Sequence, residues 1–260
     1  MNAETRAQVR ALVSEFMEKW IADSIPGAEL ERIAREGVSP SGLLTPFHDA
    51  LVPGITLLGE RSFSTRLGNR HEKIAAVVAA GVHADVRQPH DLSGAIPVLS
   101  REFITQRIGA LERREAQPNA HYEREQIFSH FGNEVNAATR IDLYIRTHAG
   151  EDHYFEIKSA KPNKGQCIEM KQRLLTALAI RRHKPSHTWW GVPYNPYGRG
   201  EYRHVYPLAF FDFEHEVMLG EPFWDFVGGA GTYEELLEVY REVGEEFAER
   251  LRELRERLIV

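Results

Sequence analysis

Cysteine is almost missing from this chain: among 260 residues only Cys167 carries a thiol. One thiol excludes an internal disulfide framework, fits a reducing compartment and argues against a cysteine-based zinc centre. Long apolar runs are missing too. The longest, "IAAVVAAGV" from Ile74 to Val82, falls far short of the roughly 20 residues that span a bilayer. The opening "MNAETRAQVRALVSEFMEKW" scatters charges where a secretory leader would carry an apolar block. A cytoplasmic protein without a membrane partner is therefore expected. An excess of positive charge is the third absence. The net charge of -6 argues against a protein that coats nucleic acid indiscriminately. It leaves open an enzyme that concentrates its basic residues in one DNA-binding cleft.

A chain of 260 residues can bury one large core, and 42% hydrophobic with 27% charged residues is the balance of a folded protein. No internal repeat, low-complexity segment or convincing linker interrupts it. A single domain over residues 1–260 is expected, with a helical N-terminal part to about residue 115. A sheet core follows to about residue 215, then a helical C-terminal part.

Val9, Leu12, Val13, Phe16 and Trp20 recur at helical spacing until "SIPGAEL" breaks the pattern. A helix pair around "GVSPSGLLTPFHDALVPG" and a helix from near Asn69 follow. "DVRQPHDLSGAIP" reads as a loop, and "LSREFITQRIGALERRE" as an amphipathic helix with Ser100 as N-cap. Then the period changes to two. "RIDLYIRT" sets Ile141, Leu143 and Ile145 against Arg140, Asp142, Tyr144 and Arg146, the mark of a half-buried strand. "HAGED" is turn material, and "HYFEIK" alternates again. "CIEMKQRLLTALAIRRHK" is helical up to Pro185; "HTWWGVPY" and "RHVYPLAFFDF" are two further strand candidates. A long helix from about Tyr233 closes the chain. A strand–helix–strand crossover after a hairpin predicts an α/β fold, a mixed sheet flanked by helices with helical terminal segments.

The chemistry gathers in "DHYFEIKSAKPNKGQ". Residues two apart on a strand share a face at roughly 6.6 Å, so Glu156 and Lys158 point the same way while Phe155 and Ile157 face the core. Pairing with "RIDLYIR" through the short turn brings Asp142 beside Glu156. Two carboxylates and an ammonium suit Mg²⁺, which is commonly held by one or two carboxylates, water and phosphate. The residues alone leave a second reading open: a cross-strand ion pair on a solvated face. Glu169-Met170-Lys171 has the same spacing, but in a helical run without a strand partner.

Asp142 followed by Glu156-Ile157-Lys158 resembles the PD-(D/E)XK nuclease superfamily, with Ile141 where the superfamily's name has proline. "SFSTRLGNRHEKIAA", "EIKSAKPNKGQ", "VPYNPYG" and "FWDFVGGAGTYEELL" are similar to type II restriction endonucleases of the TdeIII type. This resemblance, from about Phe47 to about Gly244, implies a restriction-endonuclease-like fold. It implies Mg²⁺-dependent cleavage of double-stranded DNA at a short palindrome such as GGNCC, leaving 5′-phosphate ends. Asp142 and Glu156 would be metal ligands and Lys158 the catalytic lysine, with the upstream Glu72 a further ligand or a water-organising base. A homodimer and a companion DNA methyltransferase, functional rather than physical, are also implied. Two alternatives remain: a structure-specific repair or recombination nuclease of the same superfamily, and a non-catalytic DNA-binding protein.

Beside such a site, the turn after the strand offers Lys161, Asn163, Lys164 and Gln166 to the DNA backbone at a helix N-terminus. Base reading is expected around Asn195, Arg199, Arg203 and His204, with Arg181, Arg182 and Lys184 as further candidates. His183 and His187 have the spacing of a helical metal pair, but Pro185 between them argues against a zinc site. Trp189 and Trp190, adjacent on a strand, should place one ring inside and one outside. In the last helix Leu236, Tyr240, Val243, Phe247, Leu251, Leu254 and Leu258 repeat as a dimer seam or as packing on the chain's own core.

Overall fold

The structure, a computed structural model, describes residues 1–24, 46–51 and 60–259, with side chains over 1–22, 46–51 and 67–250. Helices α1 (Ala3–Ser24), α2 (Pro46–Leu51) and α3 (Glu60–Ala80) precede strands β1 (Asp85–Arg87) and β2 (His90–Pro97). Helices α4 (Val98–Glu112) and α5 (Ala120–Ser129) lead to β3 (Glu134–Ile141), β4 (Leu143–Arg146) and β5 (Asp152–Ile157). Then come α6 (Lys164–Ile180), β6 (Ser186–Val192), α7 (Val205–Phe210), β7 (Val217–Leu219), α8 (Glu221–Gly228) and α9 (Thr232–Ile259). The break expected after Ser24 and most of the helix pair expected around residues 37–54 lie outside the described residues.

Five strands form one mixed sheet in the order β1-β4-β5-β6-β7. β1 with β4 and β4 with β5 are antiparallel; β5 with β6 and β6 with β7 are parallel. The β5–α6–β6 crossover supplies the parallel pair, as the element order predicted. One face carries Leu143, Ile145, Phe155 and Ile157 into a core shared with α1, α2, α3, α8 and α9. The opposite face packs Tyr144, Tyr154, Trp190 and Val192 against Cys167, Met170 and Leu174 of α6. Of the tryptophan pair, Trp190 is fully buried and Trp189 only partly. Leu236, Tyr240, Val243 and Phe247 of α9 join the first core, which answers the seam question for that stretch in favour of self-packing. Leu251, Leu254 and Leu258 lie outside the described side chains. At Gly244 a Cβ would stand 2.6 Å from the Leu51 carbonyl oxygen, so the close seat of α2 on α9 needs glycine.

Several expectations change. "DVRQPHDLSGAIP" is not a loop: β2 pairs antiparallel with β3 in a separate two-stranded sheet, burying Leu92 and Ile96. Alternation at His90, Leu92 and Ile96 carried the period-two signal, masked by the prolines and glycine around it. "RHVYPLAFFDF" is not a strand. Pro207 has no N–H for a ladder but suits a first helical turn, and Pro207 and Phe210 are buried from α7. The sheet's last strand is β7 instead. α3 starts at Glu60, ahead of Asn69, and α4 at Val98 with Pro97, not Ser100, as N-cap. The single strand expected over "RIDLYIRT" is two strands that break at Asp142, where the chain leaves β3's sheet and enters β4's.

Candidate active site

The break places Asp142. Leu143 lies opposite Phe155, so Asp142 sits just beyond the paired residues, beside the end of β5 that carries Glu156. Its Oδ2 accepts the Ile157 N–H at 2.9 Å and the Lys158 ammonium at 2.8 Å. Glu72 reaches the same ammonium from α3, its Oε1 3.8 Å from Lys158 Nζ. The four residues singled out from the sequence thus meet at the C-terminal end of the central strand. The antiparallel β4–β5 pairing and the α3 crossing bring them together from three separate stretches of chain.

β5 is buried along its whole length, which distinguishes the cluster from an ion pair on a solvated surface. Glu156 is 0% exposed, and the partner of Lys158 is Asp142 rather than Glu156. Oε2 of Glu156 accepts from Arg173 Nη1 at 3.3 Å, whereas Oε1 has no hydrogen-bond partner among the described residues. Burial, with Asp142 adding to it, raises the Glu156 carboxyl to about 8 against the opposing pull of Lys158 and Arg173. Glu72 rises to about 7, again by burial first and then Asp142, with Lys158 opposing. Burial also works against the charge on Lys158, but Asp142, Glu156 and Glu72 outweigh it and hold the ammonium above its ordinary range.

A stability consequence follows with a definite sign. Glu72 and Glu156 titrate near 7 and 8 in the fold against an ordinary 4.5. Between those limits the folded chain binds more protons than the unfolded one, so stability falls as pH rises. In metal-free buffer the thermal midpoint is expected to drop between pH 5 and pH 8.5. The drop should be smaller in Glu156→Gln, which has no proton to lose there. Equal slopes in the two proteins would remove Glu156 from this account.

Among the described residues no three His, Cys, Asp or Glu side chains lie close enough to hold a metal ion as they stand. The donor set nevertheless fits a hard divalent cation. Glu72, Asp142 and Glu156 supply oxygen only, one or two carboxylates suffice for Mg²⁺, and Oε1 of Glu156 is a buried acceptor without a partner among the described residues.

The expected DNA contacts divide. Asn163 and Gln166 form a reciprocal capping box at the start of α6, which engages their carbonyl oxygens within the helix start. Lys164 pairs with Glu112 at 2.9 Å. Asn195 spans its own loop, donating to the Gly200 carbonyl and accepting from the Tyr197 N–H. Lys161 and Arg203 both lie over the Tyr197 ring, at 5.3 and 5.2 Å. Arg199 is exposed at the loop tip. Arg182 is engaged by the His130 carbonyl and Glu134, remote from the cluster in sequence and bonding.

Sequence reasoning missed what holds this loop in place. Tyr202 donates its hydroxyl to the Ala160 carbonyl at 2.6 Å, and His204 Nε2 lies 3.0 Å from the Pro162 carbonyl. The loop is therefore stapled to the turn that follows Lys158, and Lys161 of that turn shares the Tyr197 ring with Arg203 of the loop. Arg173 was missed as well. Only the packing of α6 against β5 reveals it, because its 17-residue separation from Glu156 matches no local period.

Comparison with known proteins fits this arrangement. Residues 5–244 match the family described as Type II restriction endonuclease, HinfI. Three proteins of Herpetosiphon aurantiacus are similar over most of their length. The type II restriction enzyme HgiCII is 33% identical across 94% of this chain and 95% of its own. HgiEI and HgiBI, also type II restriction enzymes, are each 34% identical across 94% of both chains. The motif resemblance and the family match agree at the level of a type II restriction endonuclease; the matched family is the HinfI type.

Proposed function

This chain belongs to the HinfI family of type II restriction endonucleases, and on that premise we propose that it cleaves double-stranded DNA by PD-(D/E)XK chemistry with Mg²⁺. Asp142 and Glu156, with Glu72, hold the cation, and Lys158 is the catalytic lysine. The observation that carries the reading is the ammonium of Lys158, 2.8 Å from Asp142 and 3.8 Å from Glu72, beside the fully buried Glu156. A bound divalent cation supplies Lewis-acid neutralisation of the phosphate and a lowered pKa for its water. Asp142 fixes the lysine, and the lysine orients the attacking water and offsets charge developing on the phosphoryl oxygens. The water oxygen bonds to phosphorus in line as the bond to the 3′ oxygen breaks, leaving a 5′ phosphate. Lys161, three residues after the catalytic lysine, grips the DNA backbone, and Arg199 and Arg203 of the loop stapled to that turn read bases.

The TdeIII-type motif blocks favour a GGNCC-like palindrome, and a two-fold dimer would match its symmetry. A companion methyltransferase would protect the host's own sites. Plasmid DNA incubated with the protein is expected to yield discrete fragments in Mg²⁺ and none in EDTA. Smeared degradation or cutting confined to branched DNA would contradict site specificity, and cutting in EDTA would contradict the metal.

A further inference from the structure

We propose that Arg173 is a positioning residue for the metal-binding carboxylate, holding one oxygen of Glu156 so that the other is left for the cation. This inference rests on the nuclease reading above. On β5, Phe155 and Ile157 enter one core, and Glu156 faces the opposite side, where α6 lies. A carboxylate this deeply buried is costly without a partner, and Arg173 provides one from α6. Its guanidinium remains one-third exposed while the carboxylate it holds is fully buried.

Arginine and carboxylate commonly meet through two parallel hydrogen bonds. Here they do not. Arg173 Nη1 reaches Glu156 Oε2 at 3.3 Å, while Nη2 is drawn to Glu169, one helical turn back on α6. That second tether restricts Arg173 to a single oxygen of Glu156. Oε1 is left buried with no partner among the described residues. Lys158 does not serve it, because its ammonium is engaged by Asp142 and Glu72. The two cations therefore divide the work: Lys158 orients Asp142, and Arg173 orients Glu156. Groups that hydrogen-bond metal-ligating side chains typically change metal affinity or activity by about 10–100-fold.

The test is Arg173→Met, which keeps most of the alkyl stem, with Glu169→Gln as a second variant at an exposed position. Calorimetric titration of the full chain with Ca²⁺ and Mg²⁺ should show binding about 10–100-fold weaker in Arg173→Met. The Mg²⁺ concentration for half-maximal cutting should rise by the same factor. DNA affinity without metal should be unchanged, and added guanidinium ion should restore part of the metal affinity. Glu169→Gln frees the guanidinium to close on both oxygens of Glu156, so metal binding should weaken there too. Wild-type metal affinity in both variants overturns the proposal. So does a loss in Arg173→Met that guanidinium ion leaves untouched and that comes with a collapsed near-ultraviolet dichroism spectrum. A wild type that cuts no DNA with any divalent ion would instead bring down the nuclease reading itself.

Discussion

A Lys158→Ala variant is expected to lose about 10²–10³-fold in cleavage rate, the cost of removing one positioned donor from developing transition-state charge. Its affinity for target DNA in Ca²⁺ should survive. Asp142, Glu156 and Glu72 together hold the Lys158 ammonium above its ordinary range, so the residue is charged at neutral pH. It therefore enters the reaction as a hydrogen-bond donor and a positive charge, not as a free base. Alanine removes both functions. It also leaves Asp142 Oδ2 with only the Ile157 N–H, so carboxylate repulsion in the cluster increases. Single-turnover cleavage with saturating Mg²⁺ separates the chemical step from binding. Undiminished single-turnover cutting by the alanine variant would end the assignment of the lysine.

The largest expected loss of stability lies on the other side of α6. Lys171 is 0% exposed, with its ammonium 2.5 Å from Glu123 Oε2 and 2.5 Å from Glu216 Oε1. Arg107 donates to the second oxygen of Glu123 at 2.8 Å, and the Asp212 N–H donates to Glu216 at 2.9 Å. Two cations and two anions balance, and each carboxylate has further donors. Burial works against the charge on Lys171, but Glu216 and Glu123 outweigh it and hold its pKa up. Removing one member of such a buried group costs about 3–5 kcal/mol, because the remaining charges have no replacement for it. Lys171→Met should therefore lower the unfolding free energy by about that amount in urea titrations. Adding Glu123→Gln and Glu216→Gln to it should recover part of the loss. A single variant within about 1 kcal/mol of wild type would show that water or rearrangement satisfies the two carboxylates.

Lys171 also explains why Glu169-Met170-Lys171 is no second site. Residues two apart on a helix point in different directions. Glu169 is exposed and tied to Arg173, whereas Lys171 is buried among α5 and the segment before β7. The same spacing on β5 and its end gives Glu156 and Lys158 one common site. Periodicity distinguished the two in advance, because "HYFEIK" alternates and "CIEMKQRLLTALAIRRHK" does not.

Periodicity was a weaker guide where proline and glycine interrupt a pattern. β2 was hidden among Pro89, Gly94 and Pro97, because its pairing energy comes from β3, whose partner residues lie 37 to 51 positions further on. The helix over Val205–Phe210 looked like a strand because an apolar run alone does not declare its period. Of the expected DNA contacts, Asn163, Gln166 and Asn195 are polar residues in turns, and in the fold each binds its own backbone. A turn that needs a cap and a turn that needs a ligand are written with the same amino acids.

Local chemistry was therefore enough to read the mixed sheet, the β5–α6–β6 crossover and the grouping of Asp142, Glu156 and Lys158. The grouping depends on spacing along one strand and across one short turn, and the sheet and crossover on the order of periodic segments, all of which are visible in the chain. The tertiary structure alone decided that Glu156 is fully buried, that Lys158 bonds Asp142 in preference to Glu156, and that Arg173 reaches Glu156 from α6. It also decided that the Tyr202 loop is fastened beside the cluster. Those facts depend on the depth of β5 and on contacts between α6, β5 and the loop at 194–204. Such contacts arise only when segments far apart in sequence exclude water together, and no local period records them.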